Sequence, residues 1–166
     1  MALPAYQPLS SMKHTIQASR AIDDDDRDWL TQYRDQLLAA YGGLTFPLGS
    51  GVIHADAWRG NLLRDGGRAV LADWDTVSAG PRETDLIPTL QAPRFGLPPA
   101  GRDAFVMAYG DDIRPWGGYR VLRDIRELST LSALLRDSHA NVASRHELDV
   151  RLRSLRTGDD RQWTSL

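Results

Sequence analysis

The sequence contains no cysteine and only one lysine, Lys13. The first absence excludes disulfides and thiolate metal ligands, so any cation must be held by carboxylate, amide or imidazole groups, a set that suits a hard ion such as Mg²⁺. Long apolar runs are also missing. No window reaches the roughly 18 consecutive apolar residues of a membrane span, and MALPAYQPLS at the N-terminus has neither the basic start nor the apolar stretch of an export signal. A cytoplasmic protein with no membrane partner is expected. Charge of one sign is scarce too: 20 Lys and Arg against 22 Asp and Glu leave a formal charge of −2. No global field attracts nucleic acid, and none is expected as a partner.

What is present is an ordinary globular composition. The 166 residues are 42% hydrophobic and 25% charged, enough for a single domain with one core. Residues 1–22, with Pro4, Pro8 and little periodicity, read as an extended lead-in. From Asp26, the positions Trp29, Leu30, Tyr33, Leu37, Leu38 and Tyr41 recur at helical spacing until Gly42-Gly43, and the acidic run 23–26 caps that helix rather than binding a metal. Short strands are expected over 52–54, 62–64 and 69–73, the last two joined through Asp65-Gly66-Gly67. Beyond Pro81 the pattern predicts helices over 85–91, 102–109, 118–137 and 144–156, with a loop over 93–101. The fold class is α+β, mostly α, with a small β element.

Polar groups concentrate in two stretches. In GVIHADAWRGNLL, residues 51–63, His54, Asp56 and Asn61 form H-x-D-x-x-x-x-N; in VLADWDTVSAGPRETDL, residues 70–86, Asp73 and Asp75 follow an apolar strand. A hairpin after the loop returns the chain to the loop's own end, so Asp56, Asn61 and Asp73 are expected to converge on one cavity. Oxygen-bearing side chains gathered in a concave place bind Mg²⁺ or poise a proton. The neighbours have plainer readings. Trp74 and Trp116 belong to the core, Arg82 pairs with Glu83 or Asp85, Asp85 caps a helix, and the arginines from Arg114 to Arg161 form a solvated face. His14, His139 and His146 lack ligand spacing and read as surface residues.

The succession H-x-D-x-x-x-x-N, D-x-D and G-P-R-x-x-D-L resembles the C-terminal lobe of the aminoglycoside phosphotransferase and choline kinase family, the kinase-like small-molecule phosphotransferases. The likeness extends more loosely from Leu3-Pro4 through the last helix. It implies a protein-kinase-like C-terminal lobe. It also implies roles: Asp56 as the base that accepts a substrate hydroxyl proton, Asn61 and Asp73 as Mg²⁺ ligands, and His54 as the residue that orients the loop. Asp75 matches the family's second acid, and Asp85 a structural position.

The departures shape the functional expectation. The resembled enzymes grip ATP with an N-terminal lobe that carries a phosphate-covering loop, a lysine and its glutamate partner. No Gly-rich strand-loop-strand precedes His54, and Lys13 has no β pattern around it, so that lobe is expected to be absent. Where the family loop reads H-G-D, with a histidine and often a proline further on, this chain has Ala55, Trp58 and Arg59. Ala55 reads as a mild change, Trp58 as a wall for substrate. The expected function is ATP-independent acid/base chemistry on an organic small molecule, such as dehydration, conjugate addition or cyclisation in natural-product biosynthesis, without a cofactor. Crowded carboxylates would keep one carboxyl protonated, with His54, Asp56, Asp73 and Asp75 catalytic and Trp58, Arg59 and Asn61 on the substrate. One alternative is half of a phosphotransferase that uses Mg²⁺ and ATP once a separate chain supplies its N-terminal lobe. The other is a binding protein on a dead kinase lobe. An apolar face left by the missing lobe invites a homodimer.

Overall fold

The computed structural model describes residues 2–138 and 141–164. In chain order they form α1 (Met12–Ala18), α2 (Asp24–Gly42), β1 (Ser50–Ile53), β2 (Leu62–Asp65), β3 (Arg68–Leu71), β4 (Ser78–Pro81), α3 (Ile87–Leu90), α4 (Pro99–Tyr109), α5 (Tyr119–Ser129), α6 (Leu131–Asp137) and α7 (Val142–Thr157). The chain is mostly helical with a small β element, the expected class. Among the described residues no helix is long and apolar enough to cross a membrane.

Helix α2 begins where its acidic run predicts. The Asp23 carboxylate accepts a hydrogen bond from the Asp26 amide at 2.8 Å, and Asp24, Asp25 and Asp26 fill the first turn, where the helix dipole favours negative charge. The lead-in is not wholly extended, contrary to expectation. Met12, Thr15 and Ile16 are buried at helical spacing in α1, which packs on α2 and α6. Seven residues are too few to hold a helix by propensity, so tertiary burial must supply its stability. Further on, the single helix expected over 118–137 is two. The Thr130 carbonyl accepts from Arg151 Nη1 at 3.3 Å, and the Thr130 hydroxyl donates to the Glu127 carbonyl at 2.7 Å, so the ladder breaks between α5 and α6.

One large core joins α1, α2, α5, α6 and α7 through Ile16, Leu30, Leu128, Leu131 and Leu148, and a smaller one gathers Leu86, Ile87, Leu90, Ile113 and Leu122. Trp116 packs on the smaller cluster with its ring 5.7 Å from that of Phe46. The β element comprises two antiparallel pairs, β1 with β4 and β2 with β3. Strand β4 is additional to the expected ones. Its Ser-Ala-Gly-Pro sequence carries no strand-forming residue, and pairing with β1 over Ser50↔Pro81 to Ile53↔Ser78 creates it. Tyr6 lies across it: its amide donates to the Ala79 carbonyl at 2.8 Å, and a Cβ on Gly80 would stand 2.7 Å from Tyr6 Cβ and 2.8 Å from Ile53 Cδ1. Only glycine lets the lead-in approach this closely. The β2–β3 hairpin turns as expected, with Asp65 opposite Arg68 and Gly66 at φ +58°.

The arginines do not form one solvated face. Arg94, together with Arg151 from within the expected span, is buried, and their guanidinium carbons lie 4.2 and 5.1 Å from the Trp163 ring centroid. His14 and His146 are exposed, as expected, and His139 lies outside the described residues.

Candidate active site

Strand β1 delivers the chain to His54, which is 1% exposed. Its backbone amide and that of Ala55 donate to the two Asp85 carboxylate oxygens at 2.8 and 2.7 Å. Asp85 therefore does not cap a helix. It clamps the start of the loop from 31 residues away, where the chain leaves β4. Nor does Arg82 pair with Glu83 or Asp85: its Nη1 donates to the Leu48 carbonyl at 2.7 Å, while Glu83 accepts from the Leu48 amide at 2.6 Å. The clamp holds a strained turn. Ala55 adopts φ +66°, a left-handed conformation that costs a residue bearing a Cβ about 1–2 kcal/mol. Its replacement of the family glycine is less mild than its size implies.

The His54 ring is locked on both sides. Nε2 lies 2.8 Å from the Ala72 carbonyl, which can only accept, and the Asp56 amide donates to Nδ1 at 3.3 Å. The hydrogen therefore sits on Nε2. With Trp74 packed on its ring at 4.7 Å, His54 positions the loop and has no free nitrogen for a substrate. Trp74 itself is exposed rather than core, its Nε1 donating to the Leu71 carbonyl at 2.8 Å.

Asn61 closes the loop from the other end. Its Nδ2 donates to the Asp56 carbonyl at 2.9 Å and faces Asp56 Oδ2 at 3.4 Å. That fixes the amide, and among the described residues its Oδ1 has no donor. The Ala72 amide donates to the Asn61 carbonyl at 2.8 Å, so the returning strand is tied to both His54 and Asn61 immediately before Asp73. Asp73 follows in a left-handed conformation, φ 64° and ψ 60°, and its side chain is exposed, with no partner among the described residues. Two strained non-glycine residues thus flank the polar loop and the turn beside it, the distribution associated with functional sites.

The close charged partner of Asp56 is a guanidinium. Asp56 Oδ1 lies 2.6 Å from Nη2 of Arg126, a residue of α5 that the sequence pattern assigned to a solvated face. The Nη2–H is poorly aligned, so Asp56 Oδ1 gains an ion pair but no hydrogen bond; separately, Arg126 Nε has no hydrogen-bond partner among the described residues. Asp56 and Asp75 line one cavity of about 890 Å³, together with Tyr6, Arg126 and Arg136. Burial, then the neighbouring Tyr41, pushes the Tyr6 phenol up to about 12, against the opposing pull of Arg126. His54, Asn61 and Asp73 do not line that cavity, and among the described residues no three His, Asp or Glu groups gather as metal ligands. The expected crowd of acids is absent, because the hairpin brings Asp73 to the loop at the backbone while leaving its side chain to solvent. Trp58 and Arg59 line a second cavity of about 710 Å³, which shares Arg126 with the first. The Trp58 indole lies against Gly60, in the space a Cβ would need.

The family model for the phosphotransferase enzyme family matches residues 7–125. Comparison with curated proteins gives no significant match. Among solved structures, an amicoumacin kinase bound to AMP-PNP, Ca²⁺ and its ligand superposes with a TM-score of 0.71 at 14% identity, over 95% of this chain and 51% of that one. A choline/ethanolamine kinase family protein from Mesorhizobium loti gives 0.65 at 15% identity, over 94% and 56%. A putative fructosamine-3-kinase from Thermobifida fusca gives 0.53 at 26% identity, over 91% and 49%. The chain spans about half the length of the solved chains it matches.

Proposed function

Because this chain belongs to the phosphotransferase enzyme family, we propose that it supplies the metal-holding and acceptor-activating half of an ATP-dependent small-molecule phosphotransferase. Asn61 carries this reading. Its Nδ2 is spent on Asp56 at 2.9 Å, which leaves Oδ1 free to ligate, and its carbonyl accepts from Ala72 immediately before Asp73, whose carboxylate is unpartnered among the described residues. Two hard oxygen donors of this kind fit Mg²⁺, which binds through one or two protein groups and completes its shell with phosphate and water. Bound there, Mg²⁺ would neutralise charge on the nucleotide phosphates.

The protein's own groups then have definite tasks. Asp56 takes the proton of the acceptor hydroxyl as the hydroxyl oxygen bonds to the terminal phosphorus and the bond from phosphorus to the nucleoside diphosphate breaks. His54 and Asp85 hold the loop so that the Asp56 carboxylate stays in register with that hydroxyl. Trp58 and Arg59 contact the acceptor from the adjoining cavity. A cytoplasmic setting, where ATP and Mg²⁺ are both at hand, suits the reaction. ATP-independent acid/base catalysis has less support, since its premise was crowded carboxylates and Asp56 instead meets a guanidinium.

Calorimetric titration with ATP, with Mg²⁺ and then with EDTA, tests the proposal. Expected is binding that depends on Mg²⁺ and weakens about 10–100-fold in Asp73→Asn, a change typical of disturbing a metal site. Equal binding in EDTA, or in the variant, would contradict it.

A further inference from the structure

We propose that the cavity beside Trp58 takes an acceptor whose flat apolar body carries an anionic group, and that Arg126 selects it by exchanging Asp56 for that anion. The word acceptor rests on the phosphotransferase reading above; the binding itself does not. At about 710 Å³ the cavity has the volume of a small-molecule site. Trp58, Phe95, Leu97 and Pro98 give it apolar walls suited to a planar ring. Its charged lining is of one sign: Arg59, Arg102, Arg126 and Arg151, with no Asp or Glu.

These four are not equally available. Arg151 is committed to Glu147 at 2.7 Å in a buried pair, and Arg102 leans on Asp103 at 3.2 Å. Arg59 is exposed and has no ion-pair partner among the described residues. Arg126 touches Asp56 at 2.6 Å but with an Nη2–H poorly aimed, leaving Asp56 Oδ1 without a hydrogen bond; separately, its Nε has no hydrogen-bond partner among the described residues. A carboxylate or phosphate entering the cavity can offer the guanidinium the parallel, charge-assisted pair of bonds that Asp56 does not make. Gln91 adds a buried polar side chain to the cavity wall. It is 5% exposed, lines the same cavity, and its Oε1 has no hydrogen-bond partner among the described residues.

Arg126 also lines the cavity that contains Asp56 and Asp75, so it stands between the two. When its guanidinium turns to a bound anion, Asp56 loses its counter-charge and becomes free to accept the hydroxyl proton. An uncharged or cationic compound leaves Asp56 tied to Arg126. A polyamine meets guanidiniums and no facing carboxylate, which disfavours it by like-charge repulsion.

Three probes of one shape test this: 3-(hydroxymethyl)benzoate, its carboxamide, and 3-(hydroxymethyl)benzylamine. Binding to the whole chain is followed by NMR through the Trp58 indole N–H, assigned with Trp58→Phe, and the Arg126 Nε–H. The benzoate is expected to shift both signals and to bind at least about tenfold tighter than the amine, with the carboxamide between. Arg126→Gln should abolish the preference. Arg59→Gln, at an exposed position where folding is not at stake, should reduce it, and Arg145→Gln on α7 should leave it intact. Equal or tighter binding of the amine, no shift of the Trp58 indole at millimolar benzoate, or a preference that survives Arg126→Gln and Arg59→Gln alike would overturn the proposal. Nucleotide is omitted throughout, so failure here and failure of the phosphotransferase reading are separate results.

Discussion

Glu147→Ala is expected to cost about 3–5 kcal/mol of stability, the range for removing one partner of a buried ion pair. The Glu147 and Arg151 side chains are each 6% exposed, and Arg151 Nε donates to Glu147 Oε1 at 2.7 Å. The same oxygen accepts from the Thr164 amide at 2.9 Å, while Arg151 Nη2 donates to the Thr164 carbonyl at 2.6 Å. The pair therefore fastens the C-terminal segment, with Trp163, across α7. Truncating Glu147 strands a guanidinium in low dielectric and releases that segment. Urea denaturation should show a lowered midpoint at near-unchanged slope. Glu147→Gln keeps an oxygen for both donors and should lose less. A Glu147→Ala midpoint within error of the parent would refute this view of the pair.

Asp85→Ala should remove about 3 kcal/mol, because two backbone amides, those of His54 and Ala55, lose their acceptors together and each stranded donor costs roughly 1–3 kcal/mol. The loss falls on a turn already strained at Ala55, so the loop should open before the rest of the chain. Hydrogen exchange at His54, Ala55 and Asp56 is expected to accelerate well beyond the change at Leu128 in the core. Asp85→Asn, which retains one acceptor oxygen, should give an intermediate result. Uniform acceleration across the chain would mean that Asp85 supports the fold globally rather than this loop.

Features with local causes were legible in the sequence. The acidic cap and apolar stripe of α2, the Gly66-Gly67 turn and the H-x-D-x-x-x-x-N loop each announce themselves within a few residues. What escaped was nonlocal or unusually short. Helix α1 carries only Met12, Thr15 and Ile16 as its stripe, too little to stand out after Pro8. Strand β4 exists because β1 needs an edge partner, not because Ser-Ala-Gly-Pro favours extension. Asp85 looked like a cap since nothing nearby reveals that its partners are His54 and Ala55. Arg126 sits at the edge of the apolar stripe of α5, one turn after Leu122, and only the packing of α5 beside the loop brings it onto Asp56. The backbone of Ala72 is tied to both Asn61 and His54, but Asn61 and Asp73 do not share the cavity of Asp56 as expected. A guanidinium meets Asp56 and solvent meets Asp73, where other carboxylates were expected.

The most direct measurement is paramagnetic relaxation by Mn²⁺ standing in for Mg²⁺, added together with ATP to the isotopically labelled chain. If Asn61 and Asp73 hold the ion, the Asn61 side-chain amide and the Asp73 backbone amide should broaden first, while the Trp163 indole, buried in the helical core, stays sharp. Broadening centred on the acidic run 23–26, or none at Asn61 and Asp73 while ATP is bound, would contradict a metal-holding role for this turn.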